Sequence, residues 1–403
     1  MFKIIAKLAW SNAFLRRSRT LLLVSMIAVS MALMLSIQGI YDGMTKNMLD
    51  KTLRSDCGEV SIYQKQYRLN KLFSNNIQDA DRIVQRLNRD PKVKIAIKRF
   101  SVEGLSSTAR KSSFANIIGV NIDDEEKFGK FSRFLKEGEV SFKEYGAVIG
   151  SALADKLKVH IGSKVIFTTQ NSKGEINGLY LRVKGIIQTT NINIDNFAIY
   201  VPIQRVYTFL GVPAESATQI AIRTDDTLLV QTLKQEYKNL DVESLLELYP
   251  ILKQMEDMTY IFNSITFAIV MLVVFIGILG VMYVSILDRI REFGILRAIG
   301  MDYRYIRLQI FLEAVFVGLV GYIGGAVLGY LALYYLQVYG LDLSAYAEGL
   351  EKFGYSSVIY AHIELSYFTT TFGAIISASI LSVFLPLRKI KHLRPIDVIK
   401  AKT

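Results

Sequence analysis

The run TLLLVSMIAVSMALMLSIQGIY, Thr20 to Tyr41, carries no charged residue. It is long enough for a helix to cross the hydrocarbon core of a bilayer, about 30 Å, which takes roughly 20 apolar residues. Three more uncharged runs of that kind follow, Met258 to Leu287, Ala314 to Leu341 and Leu365 to Leu387. A secretory leader has an apolar stretch of about 7 to 15 residues. Here apolar sequence continues past the small-x-small site Ala28-Val29-Ser30, so the first run reads as an uncleaved anchor. The chain of 403 residues is 51% hydrophobic yet 21% charged, and so divides into membrane and aqueous parts. About 215 residues separate the first two runs, enough to bury a core as one elongated or two compact subdomains.

The formal charge of +12 is placed unevenly. Lys3, Lys7, Arg16, Arg17 and Arg19 precede the first run without an acidic residue. Arg289, Arg291, Arg297, Arg304 and Arg307 lie between the second and third, and Arg388, Lys389, Lys391, Arg394, Lys400 and Lys402 follow the fourth. The connection between the third and fourth holds Asp342, Glu348, Glu351 and Glu364 against Lys352 alone. Basic residues mark cytoplasmic segments, so both termini are expected inside and the long connection outside. The basic balance is then a signal of topology and not of nucleic-acid binding.

The expected fold is an α-helical membrane protein of four transmembrane helices, N-in and C-in, with a large α+β extracytoplasmic domain between helices 1 and 2. Residues 1–19 form a cytoplasmic amphipathic helix, 20–41 helix 1, and 42–257 a periplasmic α+β domain with stalk helices. Helix 2 is 258–287, followed by a cytoplasmic coupling segment, 288–307. Helix 3 is 308–337, a short periplasmic loop 338–364, helix 4 365–387, and a basic cytoplasmic tail 388–403.

Within the outer domain, Met44, Met48 and Leu53 continue helical spacing beyond the first span, as a stalk would. Gly58 to Tyr63 alternates as a strand, Ile77 to Asn88 is an amphipathic helix ended by Asp90-Pro91, and strands follow around Val93 to Phe100 and Phe114 to Val120. Asp123, Asp124, Glu125 and Glu126 lack the spacing of a calcium loop and suit the first turn of a helix. Gly146 to Gly150 is a strand leading into the helix Ser151 to Leu157, a turn at Gly162 precedes another strand, and Asn171 to Gly178 is a hairpin tip. Leu245, Leu248, Leu252 and Met255 share a helical face with Pro250 as a distortion, a second stalk. The lone Cys57 cannot form an intramolecular disulfide, so the domain depends on its core.

Catalytic signatures are missing. There is no phosphate-binding Gly-x-x-x-x-Gly-Lys-Ser/Thr loop, no Gly-x-Ser-x-Gly elbow and no His-Glu-x-x-His, and His160, His362 and His392 are far apart. Glu313 alone is ionisable near a span interior, as a snorkelling or locally paired residue. Gly321, Gly325 and Gly329, spaced by four, permit close helix approach, either within the bundle or between subunits.

Between the second and third spans lies Asp288-Arg289-Ile290-Arg291-Glu292-Phe293-Gly294-Ile295-Leu296-Arg297-Ala298-Ile299-Gly300-Met301. On a helix, Ile290, Phe293, Leu296 and Ile299 or Gly300 share a face, which by itself suits any amphipathic turn at a membrane surface. The segment resembles the Arg-Glu-x-Gly-x-x-Arg-x-x-Gly element of FtsX-like, MacB-type ABC transporter permeases. Leu8 to Asn12 with Arg16 to Leu21, Ala147 to Val165, and Leu387-Arg388 with Arg394-Pro395-Ile396-Asp397-Val398-Ile399 are similar to further family patterns in the same order. Gly43-Met44, Gly58 to Tyr63 and Ile118 to Asn121 look most like the lipoprotein-releasing Lol permeases.

The resemblance implies a non-catalytic permease subunit that pairs with a second copy or a homologous permease and binds a dimer of a separate ABC ATPase subunit. That partner would hold ATP and Mg, leaving no cofactor in this chain. It implies coupling to the ATPase through Arg291, Glu292, Phe293, Gly294, Leu296, Arg297 and Gly300, and transmission through stalk helices to the periplasm without passage of substrate across the bilayer. It also implies a multi-pass protein of the bacterial inner membrane, lipid contacts, a periplasmic chaperone or adaptor, and lipoprotein cargo. The Lol subunit that grips the chaperone carries a long, Pro-containing hook, whereas Thr168 to Gly178 is short and lacks Pro. Bulky Met31, Leu35, Phe262, Ile265 and Ile269 are candidate cargo-facing residues, although ordinary lipid-facing packing has the same composition. The competing functions are efflux of a peptide, toxin or drug, and regulation of cell-wall hydrolases.

Overall fold

The computed structural model describes residues 2–15, 17–189, 191–346, 349–350 and 355–391. Arg16, Glu348, Glu351, Lys352, His392 and the tail motif from Arg394 onward lie outside the described residues. The chain forms two compact units, one of Met1–Thr45, Glu256–Leu343 and Val358–Thr403, the other of Lys46–Met255 with Ser344–Ser357.

The first unit is a helix bundle. Among the described residues, four helices are long and apolar enough to cross a membrane, and the first three are Arg17–Thr52, Pro250–Asp288 and Tyr303–Tyr339. The fourth, Leu365–Ser382, is followed after Val383 by a further helix, Phe384–Lys391. The first helix runs past Tyr41 to Thr52, and the third starts at Tyr303, capped by the Asp302 carboxylate accepting from the Arg304 amide at 2.9 Å. A preceding amphipathic helix, Phe2–Ala13, buries Ile5, Ala9 and Ala13, spaced by four, and sets Trp10 edge-on to Phe316, 5.4 Å between centroids.

The glycines of the third helix face inward. A Cβ on Gly321, Gly325 or Gly329 would come within 3.0 Å of Ile27, Met31 or Leu35 on the first helix, and one on Gly318 would strike Ser379 of the fourth. The stripe therefore serves packing inside the bundle, where close contact replaces the hydrophobic drive that lipid removes. Polar ties add direction. Asp42 accepts from Asn263 Nδ2 at 3.0 Å and from the Tyr367 hydroxyl, joining the first, second and fourth helices.

The second unit is built on one mixed sheet. Its strands are β1 (Val60–Gln64), β2 (Val93–Ser107), β3 (Ser112–Val120), β4 (Leu135–Gly138), β5 (Gly146–Gly150), β6 (Lys164–Gln170), β7 (Ile176–Ile187), β8 (Ala198–Pro202), β9 (Gln219–Thr224) and β10 (Leu240–Ser244). They run in the order β10-β1-β9-β2-β3-β8-β5-β7-β4, with β6 pairing β2 and β7. The first half of β2 pairs with β9 and the second half with β3 and β6, so one 15-residue strand serves two cores. One core holds Ile62, Ile220, Ile222 and Leu233, the other Phe100, Ile149, Leu153 and Phe167.

Strand β1, paired on its two edges with β10 and β9, departs from the expected alternation because Val60, Ser61, Ile62 and Tyr63 are all buried. Ser61 is fully buried there, donating to the Cys57 carbonyl at 2.9 Å and accepting from Gln219 Nε2 at 3.1 Å. The acidic cluster does start a helix, Ile122–Gly129, with Asn121 as its cap. Glu125 is no surface charge, however. It is 2% exposed and holds the guanidinium of Arg99, itself 1% exposed. The segment after Phe167 is a plain hairpin whose tip closes with the Asn171 amide donating to the Glu175 carbonyl at 2.8 Å.

Cys57 has no accessible surface, packed with Leu245 and Leu252. A buried thiol is inert because only an exposed thiolate can attack a reagent. A maleimide should therefore leave the native chain unlabelled at neutral pH and label it fully after unfolding in SDS. Equal labelling of both would contradict the packing.

Candidate coupling site

The second apolar helix ends at Asp288, and Arg289, at φ −109° and ψ 12°, turns the chain into a short helix, Ile290–Ala298. Its end follows from Gly300. With φ +96°, Gly300 adopts the left-handed conformation that closes a helix; its amide donates to the Arg297 carbonyl at 3.1 Å and that of Met301 to Leu296 at 3.0 Å. This is a Schellman cap, in which a glycine avoids the strain a Cβ would meet.

The expected apolar face divides. Phe293 is 1% exposed, buried with Ile286, Ile306, Val383 and Leu387 in the chain's own bundle, and Leu296 packs beside that cluster. Gly294 is also buried. Phe293 therefore anchors the helix and has no surface to give a partner. Arg291, Glu292, Ala298 and Gly300 are exposed, as are Ile295 at 50% and Ile299 at 76%. Arg297 is half-buried.

Charges fix the helix from beneath. Arg289 donates to Glu313 through Nη1 at 2.9 and 3.1 Å and to Glu292 through Nε at 3.1 Å, with its guanidinium 5.1 Å from the Phe293 ring centre. Glu313 is 4% exposed and also accepts from Gln309 Nε2 at 3.2 Å. Of the two sequence readings for Glu313, local pairing holds. Arg19 adds a link from the first helix to Asp288 at 3.0 Å. A cavity of about 220 Å³ lies against these groups, between Arg19, Arg289, Glu313 and the apolar Leu23, Met282 and Val317. Sequence spacing shows neither the Arg289–Glu313 nor the Arg19–Asp288 pair, since each joins residues far apart in the chain.

The cargo-facing candidates separate as well. Met31 and Leu35 are fully buried against Gly325 and Gly329, so they face the third helix and no lipid. Phe262, Ile265 and Ile269 on the second helix are exposed, at 50%, 51% and 58%. Among the described residues, no group of three or more His, Cys, Asp or Glu side chains is placed to hold a metal ion.

Residues 264–395 match the model of the FtsX-like permease C-terminal family, and residues 20–240 that of the MacB-like periplasmic core domain. The chain is 23% identical over 286 residues to the lipoprotein-releasing system transmembrane protein LolE of Haemophilus influenzae, covering 66% of this chain and 65% of that one. It is 28% identical over 177 residues to the macrolide export ATP-binding/permease protein MacB of Marinobacter nauticus, covering 44% of this chain and 24% of that protein. It thus spans just under two thirds of the first relative and about a quarter of the second. The periplasmic region of MacB from Actinobacillus actinomycetemcomitans is similar at a TM-score of 0.34 and 18% identity, over 49% of this chain and 92% of that structure. With the second family model taking in more than half of its residues and the first most of its C-terminal bundle, the chain belongs to the FtsX-like, MacB-type family of ABC-transporter permeases.

Proposed function

We propose that this chain is the membrane subunit of a bacterial inner-membrane transporter. Both termini face the cytoplasm and the Lys46–Met255 unit stands in the periplasm. A separate ABC ATPase, which binds ATP and Mg, docks on Ile290–Ala298, and its closure moves the periplasmic unit through the two long helices. The observation that carries this reading is the exposed pair Ile295 and Ile299, two β-branched apolar side chains on and at the C-cap of a helix whose opposite side is fastened into the bundle by Phe293. Such a helix transmits a push because it cannot roll away from it. The proposed cargo is lipoprotein, in keeping with the Haemophilus relative. Each buried acyl methylene holds a lipid anchor in the bilayer by about 0.8 kcal/mol, so release requires work. The exposed Phe262, Ile265 and Ile269 offer the acyl chains an apolar surface.

Burying an isoleucine is worth about 1.5 to 3 kcal/mol. Ile295→Asp with Ile299→Asp should therefore lower co-purification of the ATPase at least tenfold while leaving the bundle folded, and cells carrying it should retain lipoproteins in the inner membrane. Undiminished ATPase recovery would rule out the docking helix. Correct lipoprotein sorting together with macrolide sensitivity would move the cargo to the efflux class, as in the Marinobacter relative.

A further inference from the structure

We propose that Asp56 is the joint at which the two long helices are locked to each other and to the sheet, so that their motion turns the folded unit as one body. The inference rests on the mechanical reading above. Asp56 lies in the π-turn Leu53–Cys57 that ends the first long helix. Its carboxylate accepts a hydrogen bond from the Tyr249 hydroxyl, and its carbonyl accepts one from Arg99 Nη1. Tyr249 is the single residue between the helices Leu245–Leu248 and Pro250–Asp288, so its ring marks where the second long helix begins. The same hydroxyl accepts from Asn191 Nδ2 at 3.4 Å. Arg99, on β2, is held in turn by Glu125, with Nη2 at 2.7 Å, and lies 5.2 Å from the centre of the Phe128 ring.

The two helix ends are not fastened alike. The π-turn is clamped by backbone: a Cβ on Gly58 would stand 2.3 Å from the Ile222 carbonyl oxygen, and one on Gly129 2.0 Å from that of Arg54. π-turns recur where a helix serves a function beyond packing. Tyr249 packs on the Cys57 cluster, and among the described residues its side-chain hydrogen bond to the first helix end is the one to Asp56. Burial and the charge of Asp56 push the Tyr249 phenol well above its ordinary value, which keeps the hydroxyl a donor. A buried ion pair is a poor source of stability compared with apolar side chains of the same size. A directional pair at the end of a lever instead sets one position for it, which makes Asp56, Tyr249 and Arg99 positioning residues.

The test uses the full complex purified with its ATPase, in a Cys57→Ala background, with spin labels at Ser11→Cys and Ser172→Cys. Trapping ATP with vanadate should shift the label distance in the otherwise unaltered complex. Tyr249→Phe, which keeps the ring and removes only the hydroxyl, should reduce that shift by at least half while the melting temperature and the ATPase rate stay close to those of the parent. Asp56→Asn should do the same, and if it does not accumulate, Tyr249→Phe alone decides. A full shift in Tyr249→Phe overturns the joint and leaves mechanical coupling standing. No shift in the unaltered complex overturns the coupling reading and the joint with it.

Discussion

Glu125→Ala should destabilise the Lys46–Met255 unit by about 3–5 kcal/mol, the usual cost of stripping a buried charge of its partner. Arg99 would keep its charge at 1% exposure with the carbonyl of Asp56 and the carboxylate of the same residue, 3.6 Å away, as its remaining partners. The loss should appear as faster backbone hydrogen exchange in β2, which carries Arg99, and in its neighbour β9. Arg99→Met with Glu125→Met removes both charges and keeps apolar bulk, so its exchange should lie close to that of the parent. A double variant as unstable as the single one would show that the pair does more than neutralise itself.

Gly325→Leu should strongly destabilise the helix bundle. The new Cβ alone would lie 2.9 Å from both Cβ and Sδ of Met31 and 3.2 Å from the Ala28 backbone, and Met31 has no free surface into which to retreat. Overpacking costs about 1–3 kcal/mol, occasionally more, and here the first and third helices must part to admit the side chain. Thermal unfolding in detergent can be followed through Trp10, the one tryptophan, whose ring meets Phe316 of the third helix. Gly373→Ala is the control, since a Cβ there meets nothing within 4 Å. Equal melting of the two variants would contradict the packing.

Four apolar helices and a mixed α and β unit follow from sequence because charge-free length and turn residues are local signals. Gly146–Gly150 running into Ser151–Leu157 is an example, a strand, a tight turn and a helix read from neighbouring residues. Orientation of an apolar helix is not local. The first helix is apolar on every side across its span, so nothing in it says that Met31 and Leu35 face inward. The signal stood on the third helix, where Gly321, Gly325 and Gly329 repeat the spacing of Ile27, Met31 and Leu35. Phe293 shows the same limit, because a helical face reveals that something covers it and not whether that is the chain or a partner. The Arg99–Glu125 pair was within reach. Ile95, Ile97 and Arg99 alternate onto one side of β2, and Ile122, Glu125 and Phe128 recur by three, which places both charges on apolar faces.

The long strand β2 has a consequence for how the protein is made. Its partner β9 lies far along the chain: Lys94 meets Asp225 across 131 residues of sequence. Pairing over such distances is slow, because the closing of the loop comes before any contact rewards it. Until β9 is delivered, the apolar side of β2 has no neighbour there, the situation in which nascent strands aggregate. Synthesis then leaves little interval. Strand β10 ends at Ser244, and the second long helix begins at Pro250. Completion of the sheet and presentation of the next apolar helix to the insertion machinery thus fall almost together.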